Sequence, residues 1–403
     1  MDGQRAPMPR AYWRLFGASG VSNLGDGVLL AALPLLAARA TDSELSVGLV
    51  SAFFTLPWLV IGLPVGAVVD RVEPRRLMAI ADLARGALVA VLAVIAAVSS
   101  VEAWMLWLLA LGLGVGEVVV DSASQAIVPT VVGTDQLERA NGWRYSVELV
   151  TNTYVGLPVG GLLFTAAVWL PFGVDAASFV LAALLVASLP RAHRPPREHT
   201  PTLRTDMADG LRWLVRHGLL RDLTIALTVT NLAFAMIEST FVLYLTRELG
   251  LAERWFGVAV AVMATGGVIA GVASGRIVDL VGRRALIATT ACLPVVTTAL
   301  LATANSPVLA IALAAAQAAL ITAYSIVAVS LRQELVPEQL FGRVNGVYVW
   351  CSRGAMPLGA LAGGVLAQAY GLRAPYAIAA VLLLAAASLV LTRVAPFIGA
   401  RAA

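Results

Sequence analysis

Twelve apolar runs follow one another along this chain, at roughly 12–38, 46–69, 77–98, 104–128, 144–168, 171–189, 221–245, 256–275, 285–304, 307–331, 344–369 and 375–394. Most reach the roughly 20 residues that cross a bilayer as helix. Their patterns alternate too little for barrel strands. The chain is thereby confined to an all-α membrane protein of twelve transmembrane helices. Composition agrees: of 403 residues 59% are hydrophobic and 13% charged, and the mean hydropathy is +0.85. A soluble chain could not solvate that much apolar surface. Cys292 and Cys351 both lie inside apolar runs and read as small core residues, with neither a disulfide framework nor a metal site implied. The basic stretch Met1 to Arg14 is followed by no small-residue cleavage site, so the first run is expected to remain as helix.

One long polar break, residues 190–220, separates two six-run halves, 1–189 and 221–403. Its first part, Arg194-Pro195-Pro196-Arg197, cannot be helical throughout, because proline removes a donor and clashes with the preceding turn. Its second part, Asp206 to His217, puts Met207, Leu211, Leu214 and Val215 on one face, as in an interfacial helix. Arginine sets the orientation, since the chain has no lysine. The N-terminus, the central break and the loops after even-numbered runs carry most arginines, whereas the other side has only Arg39, Arg247, Arg254 and Arg373. Both termini and the linker are therefore expected to be cytoplasmic. The pI near 9.4 is then topogenic, with no place for nucleic acid. A basic inner face suits anionic lipid.

The loop after the second run begins Gly66-Ala67-Val68-Val69-Asp70-Arg71 and ends Glu73-Pro74-Arg75-Arg76. After the eighth run stands Gly275-Arg276-Ile277-Val278-Asp279, then Leu280-Val281-Gly282-Arg283-Arg284. The offset is 209 for both glycine and aspartate (275 − 66 and 279 − 70). Asn23-Leu24 recurs as Asn231-Leu232 and Val128-Pro129 as Val336-Pro337, each offset by 208 (231 − 23 and 336 − 128). Each half has an even number of runs, so both enter from the same side. The halves are pseudo-symmetric parallel repeats about an axis along the membrane normal.

On these residues the chain resembles the major facilitator superfamily of transporters over nearly its full length. The loop resembles that superfamily's Gly-x-x-x-Asp-Arg-x-Gly-Arg-Arg signature, with Glu73 and Pro74 as departures in the first copy and Leu280 replacing arginine in the second. Glu117 to Gln125, Leu137 to Gly142 and Leu170 to Phe179 resemble the macrolide-efflux-like and enterobactin-exporter-like branch. Gly156-Leu157-Pro158-Val159-Gly160-Gly161 is similar to the antiporter signature of proton-coupled drug exporters, with the proline displaced by one residue. Small residues four apart let helices approach, and Pro158 bends the span, so a packed hinge is expected there. Gly354, Pro357, Gly359, Gly363 and Gly364 repeat the pattern in span eleven. The resemblance also implies that Gly66, Asp70, Arg71, Arg75 and Arg76 form a cytoplasmic latch against span eleven. Gly275, Asp279, Gly282, Arg283 and Arg284 form its unequal counterpart, since Asp279 lacks the adjacent arginine.

Charges inside spans are expensive and mark function. Asp26 follows Asn23 among Gly25 and Gly27. A carboxyl there suits a group that takes up and releases a proton each cycle, or else makes a structural hydrogen bond. Glu117 and Asp121, one turn apart on span four, share a face that Gln125 continues, and would titrate as a pair. Glu148 and Asn152 form a similar pair on span five, and Asn231 and Glu238 lie two turns apart on span seven. Arg353 stands about 15 Å beyond Arg343 along its helix and calls for a water-filled cavity or a carboxylate such as Glu148 or Asp26. Trp104, Trp169 and Trp255 read as an interfacial belt. Phe53, Phe54, Trp58, Phe234, Phe241, Tyr348 and Trp350 either line an apolar cavity or simply pack.

No Walker loop, nucleotide fingerprint or zinc-helix motif is present, and the three histidines, His193, His199 and His217, all fall in the linker. The expectation is a non-enzymatic, proton-coupled antiporter that exports amphipathic or hydrophobic small molecules such as antibiotics by alternating access. It would be a monomer in a bacterial plasma membrane, with the proton gradient in place of any cofactor. Symport of a small metabolite, or a non-transporting sensor on the same scaffold, are the alternatives.

Overall fold

The computed structural model describes residues 8–62, 64–65, 69, 72–132, 136–190, 203–336 and 338–394, and no strand occurs among them. The first helices are α1 (Arg10–Ala40), α2 (Glu44–Val60), α3 (Pro74–Val98), α4 (Ala103–Val131), α5 (Leu137–Glu148), α6 (Leu157–Ala166) and α7 (Leu170–Ala187). After residues 191–202 come α8 (Leu203–Arg216), α9 (Gly218–Glu238), α10 (Phe256–Val281), α11 (Arg283–Thr303) and α12 (Pro307–Leu335). Then follow α13 (Glu338–Gly354), α14 (Met356–Tyr370) and α15 (Ala374–Leu389). Ten helices among the described residues are long and apolar enough to cross a membrane. The other two expected spans fall short for visible reasons. α2 has 17 residues before a turn at Ile61-Gly62, and span eleven is divided at Ala355 into α13 and α14. Apolar side chains such as Val98, Val272 and Val308 stand exposed, as a hydrocarbon surrounding requires.

The described chain separates into two compact units, one of residues 1–36 and 61–200, the other of 37–60 and 201–403. In the first, α3 packs against both α4 and α7. In the second, α2 packs on α14, α9 on α14 and α15, α10 and α11 on α12, and α8 on α13.

The duplication extends to packing. In the first unit Gly156 lies 2.8 Å from Leu24 O, counted from where a Cβ would stand, and Gly160 meets the backbone of Val28. In the second unit Gly359 meets Leu232 O, and Gly363 meets Met236 O. The glycines are offset by 203 (359 − 156 and 363 − 160) and their partners by 208 (232 − 24 and 236 − 28). Equivalent glycines therefore seat α6 on α1 and α14 on α9, with backbone against backbone. Both glycine helices also begin at a proline, Pro158 or Pro357. Ahead of Pro158 the chain widens into a π-helical stretch, Leu149–Gly156, where Leu157 N–H bonds Asn152 O five residues back. The wide turn takes carbonyls away from the pyrrolidine ring.

The two loop copies turn differently. Gly282, before α11, has φ +78°, a conformation a Cβ disfavours. Glu73, the equivalent position before α3 (282 − 209), is extended at φ −62°, ψ 116°, as a residue preceding proline must be. Pro74 thus removes the need for glycine, and the Glu73 carboxylate lies 3.1 Å from both Arg75 and Arg76. Arg75 also donates to Ala187 O (3.2 Å) and Leu189 O (2.6 Å), and Arg14 donates to Ser188 O (2.9 Å). Two arginines thereby satisfy the carbonyl end of α7, where the helix dipole is negative.

Candidate functional site: an arginine held among carboxylates

Arg85 and Asp82, three residues apart on α3, are each about 3% exposed. The Arg85 guanidinium lies 2.6 Å from Asp26 on α1, 3.0 Å from Glu117 on α4 and 3.9 Å from Asp82. The ring of Phe179, on α7, underlies it at 4.2 Å from Cζ. Asp175, one turn before Phe179, is fully buried, and Ser178 donates to its carbonyl (2.8 Å) and its carboxylate (3.3 Å). Ser22 donates to Asp26 at 3.4 Å. Glycines make the room. A Cβ at Gly116 would stand 2.5 Å from the Arg85 side chain, and one at Gly25 would run into Asp175 and Ser178. Four helices thus bring four carboxyl groups around one guanidinium. Fully ionised, the group would carry an excess of three negative charges, which a low-dielectric interior does not sustain. Asp82 Oδ1, Asp175 Oδ2 and Arg85 Nε are buried and hydrogen-bond to no described protein atom.

Beside this cluster lies a cavity of about 90 Å³. It gathers Asn23, Asp26, Glu117, Asp121 and Glu148, all expected from the sequence, with Asp82, Arg85 and Arg144, which were not. Gln125 donates to Asp121 at 3.1 Å. The remaining candidates lie elsewhere. Asn152 presents its backbone to Gly27, while Asn231 donates to Ser352 O at 3.0 Å, near the break between α13 and α14. Glu238 is exposed at the end of α9. Arg353 stacks over Trp58 at 4.1 Å; of the two carboxylates offered for it, Asp26 pairs with Arg85 and Glu148 lines the cavity beside Arg85. Gly66, Asp70 and Arg71 lie outside the described residues, as do the surroundings of Gly275 and the side chains of Asp279, Arg283 and Arg284. Gly156, Gly160 and Gly161 are buried. The signal for Arg85 was available, since an arginine about eight residues into the third apolar run obeys the same rule that picked out Asp26.

Membrane-long helices, duplicated in sequence and in packing, with a charged cluster inside one unit, define a major facilitator transporter. Solved structures share this fold. The nucleoside transporter NupG, as its D323A mutant, matches with a TM-score of 0.79 at 12% identity, covering 96% of this chain and 100% of that one. A bacterial homologue of the iron transporter ferroportin, inward-facing, matches at 0.70 and 18%, covering 94% and 97%. The chain belongs to the transmembrane secretion effector family, whose sequence model matches residues 3–401. The multidrug efflux pump Tap of Mycolicibacterium fortuitum is 27% identical over 371 residues, 89% of this chain and 90% of that protein. Tap of Mycobacterium tuberculosis (strain ATCC 25618 / H37Rv) is 29% identical over 382 residues, 91% and 89%. Macrolide efflux protein A of Streptococcus pyogenes is 22% identical over 236 residues, 57% of each.

Proposed function

We propose that this transporter is a proton-coupled exporter of amphipathic or hydrophobic small molecules, antibiotics among them, working by alternating access. One observation carries the coupling: four carboxyl groups, Asp26, Asp82, Glu117 and Asp175, share the single cation Arg85 inside the membrane-spanning helices. Charge balance there requires protons or mobile cations, and a proton arriving at Asp26 removes one of the guanidinium's two close partners. Arg85 is then free to favour Asp82 and Asp175, whose orphaned oxygens await a donor. These groups sit on α1, α3, α4 and α7, so the exchange biases how those helices pack. Outward direction and substrate class rest on the relatives named as multidrug and macrolide efflux pumps. The reading includes a monomer in a bacterial plasma membrane, cytoplasmic termini, and a latch at Asp70 that closes the cytoplasmic side. The test uses inside-out vesicles energised by a proton gradient and a panel of lipophilic dyes and macrolides. Accumulation is expected to stop when the gradient is collapsed and in Asp26→Asn. Accumulation indifferent to both would end the proposal.

A further inference from the structure

The helix α8 is seated on its own unit. Gly210 lies against α13, where an added Cβ would stand 2.6 Å from Arg343 O. Leu214 is buried with Val344 and Val347, and Trp213 packs against the same core. The opposite face looks outward, and its two flanks differ in chemistry. Leu211 and Val215, one turn apart, are 48% and 51% exposed. Arg212 and Arg216, the next positions around the helix, are exposed and basic. At 3.6 residues per turn the arginines stand about 100° round from the apolar pair. On a helix lying in a bilayer surface, that is the level of the headgroups.

On the arginine side opens a cavity of about 400 Å³, lined by Asp209, Arg212, Trp213, Arg216, His217, Leu340 and Arg343. This falls within the roughly 300–1,000 Å³ of small-molecule sites. Asp209 holds two of the guanidiniums toward each other, at 2.9 Å from Arg212 and 3.5 Å from Arg343. Among the described residues, three arginines and one carboxylate, Asp209, line this cavity. Arg216 pairs with no described carboxylate. His217 serves as wall and cap, since its ring stacks on Trp213 (5.0 Å between centroids) and its Nδ1 accepts from Leu220 N–H at the start of α9. We propose that this cavity binds the headgroup of an anionic phospholipid. The phosphate is clamped by Arg212, Arg216 and Arg343, whose planar forks match its oxygens. Leu211 and Val215 rest among the acyl chains. A basic pocket beside membrane helices is built for such a headgroup, and the assignment is independent of what is transported.

The experiment takes the full-length protein in detergent, stripped of lipid, and titrates it with phosphatidylglycerol, phosphatidylcholine or inorganic phosphate. Lipid retained per protein is read by native mass spectrometry. Phosphatidylglycerol is expected to saturate and phosphatidylcholine to be lost. Arg216→Gln is expected to weaken retention about fivefold, and Arg212→Gln combined with it about thirtyfold. Arg10→Gln, an exposed arginine on α1, should change nothing, and Arg216→Lys should recover part of the loss. Thermal unfolding of each variant confirms that it is folded. Undiminished retention in the folded double variant overturns the site. So does a loss in Arg10→Gln as large as in Arg216→Gln, which would mean diffuse charge attraction. Displacement of the lipid by an equal concentration of inorganic phosphate would assign the cavity to a soluble anion instead.

Discussion

At the scale of single residues, the site is governed by one cation and its surplus of acids. Removing one partner of a buried ion pair leaves the other uncompensated, at a cost of about 3–5 kcal/mol. Arg85→Met is therefore expected to lower stability by about that amount, while Arg85→Met with Asp26→Asn recovers a part, because one stranded charge has gone. Thermal unfolding of the four proteins of this cycle in detergent measures the coupling. The space for Arg85 is set by Gly116, whose added Cβ would press on the Arg85 side chain at 2.5 Å. Gly116→Val is expected to displace the guanidinium from Asp26 and Glu117 and to reduce gradient-driven transport at least tenfold, read in the same vesicles. Asp26, Glu117, Asp121 and Glu148 were legible in the sequence as charges within apolar runs. That Asp26 and Glu117 meet at Arg85, with Asp121 and Glu148 lining the cavity beside it, was not, because periodicity places a residue on a face and says nothing of which helix that face meets.

Elements carry the repeat more faithfully than residues do. Gly160 and Gly363 hold the same contact in the two units, so Gly160→Leu and Gly363→Leu are expected to destabilise by similar amounts, about 1–3 kcal/mol each from overpacking. Circular dichroism melts in detergent compare them, and a cost confined to one copy would contradict equivalent packing. The loops, in contrast, have diverged. Gly282 uses a positive φ, so Gly282→Ala should cost about 1 kcal/mol. Glu73→Gly should cost about 1 kcal/mol through loss of the carboxylate that Arg75 and Arg76 share, with no conformational gain, since Pro74 already holds that position extended. Glu73 engages both Arg75 and Arg76, and Leu280 replaces arginine in the second copy, so the two loops differ, and under the proposed latch they are expected to act unequally. Transport by Asp70→Asn is expected to fall further than by Asp279→Asn, measured as dye efflux from energised cells.

For the whole molecule, the distribution of arginine predicts that both termini are cytoplasmic, which reporter fusions at residues 1 and 403 would read directly. The amino-acid sequence by itself determined the all-helical membrane class, the two-fold repeat and the family. The class and the repeat follow from run length, from offsets near 208, and from the requirement that backbone in lipid satisfy its own hydrogen bonds, whereas the family came from the resemblance of the loop and span-five motifs. Tertiary structure alone decided three things. It grouped residues 37–60 with the second unit, where a Cβ added at Gly48 on α2 would stand 2.8 Å from Gly364 Cα on α14. It divided span eleven at Ala355. It drew Asp26, Asp82, Glu117 and Asp175 around Arg85 from four helices. The reason is common to all three: apolar periodicity shows that a helix packs, while the partner is chosen by shape and charge matching between segments far apart in sequence.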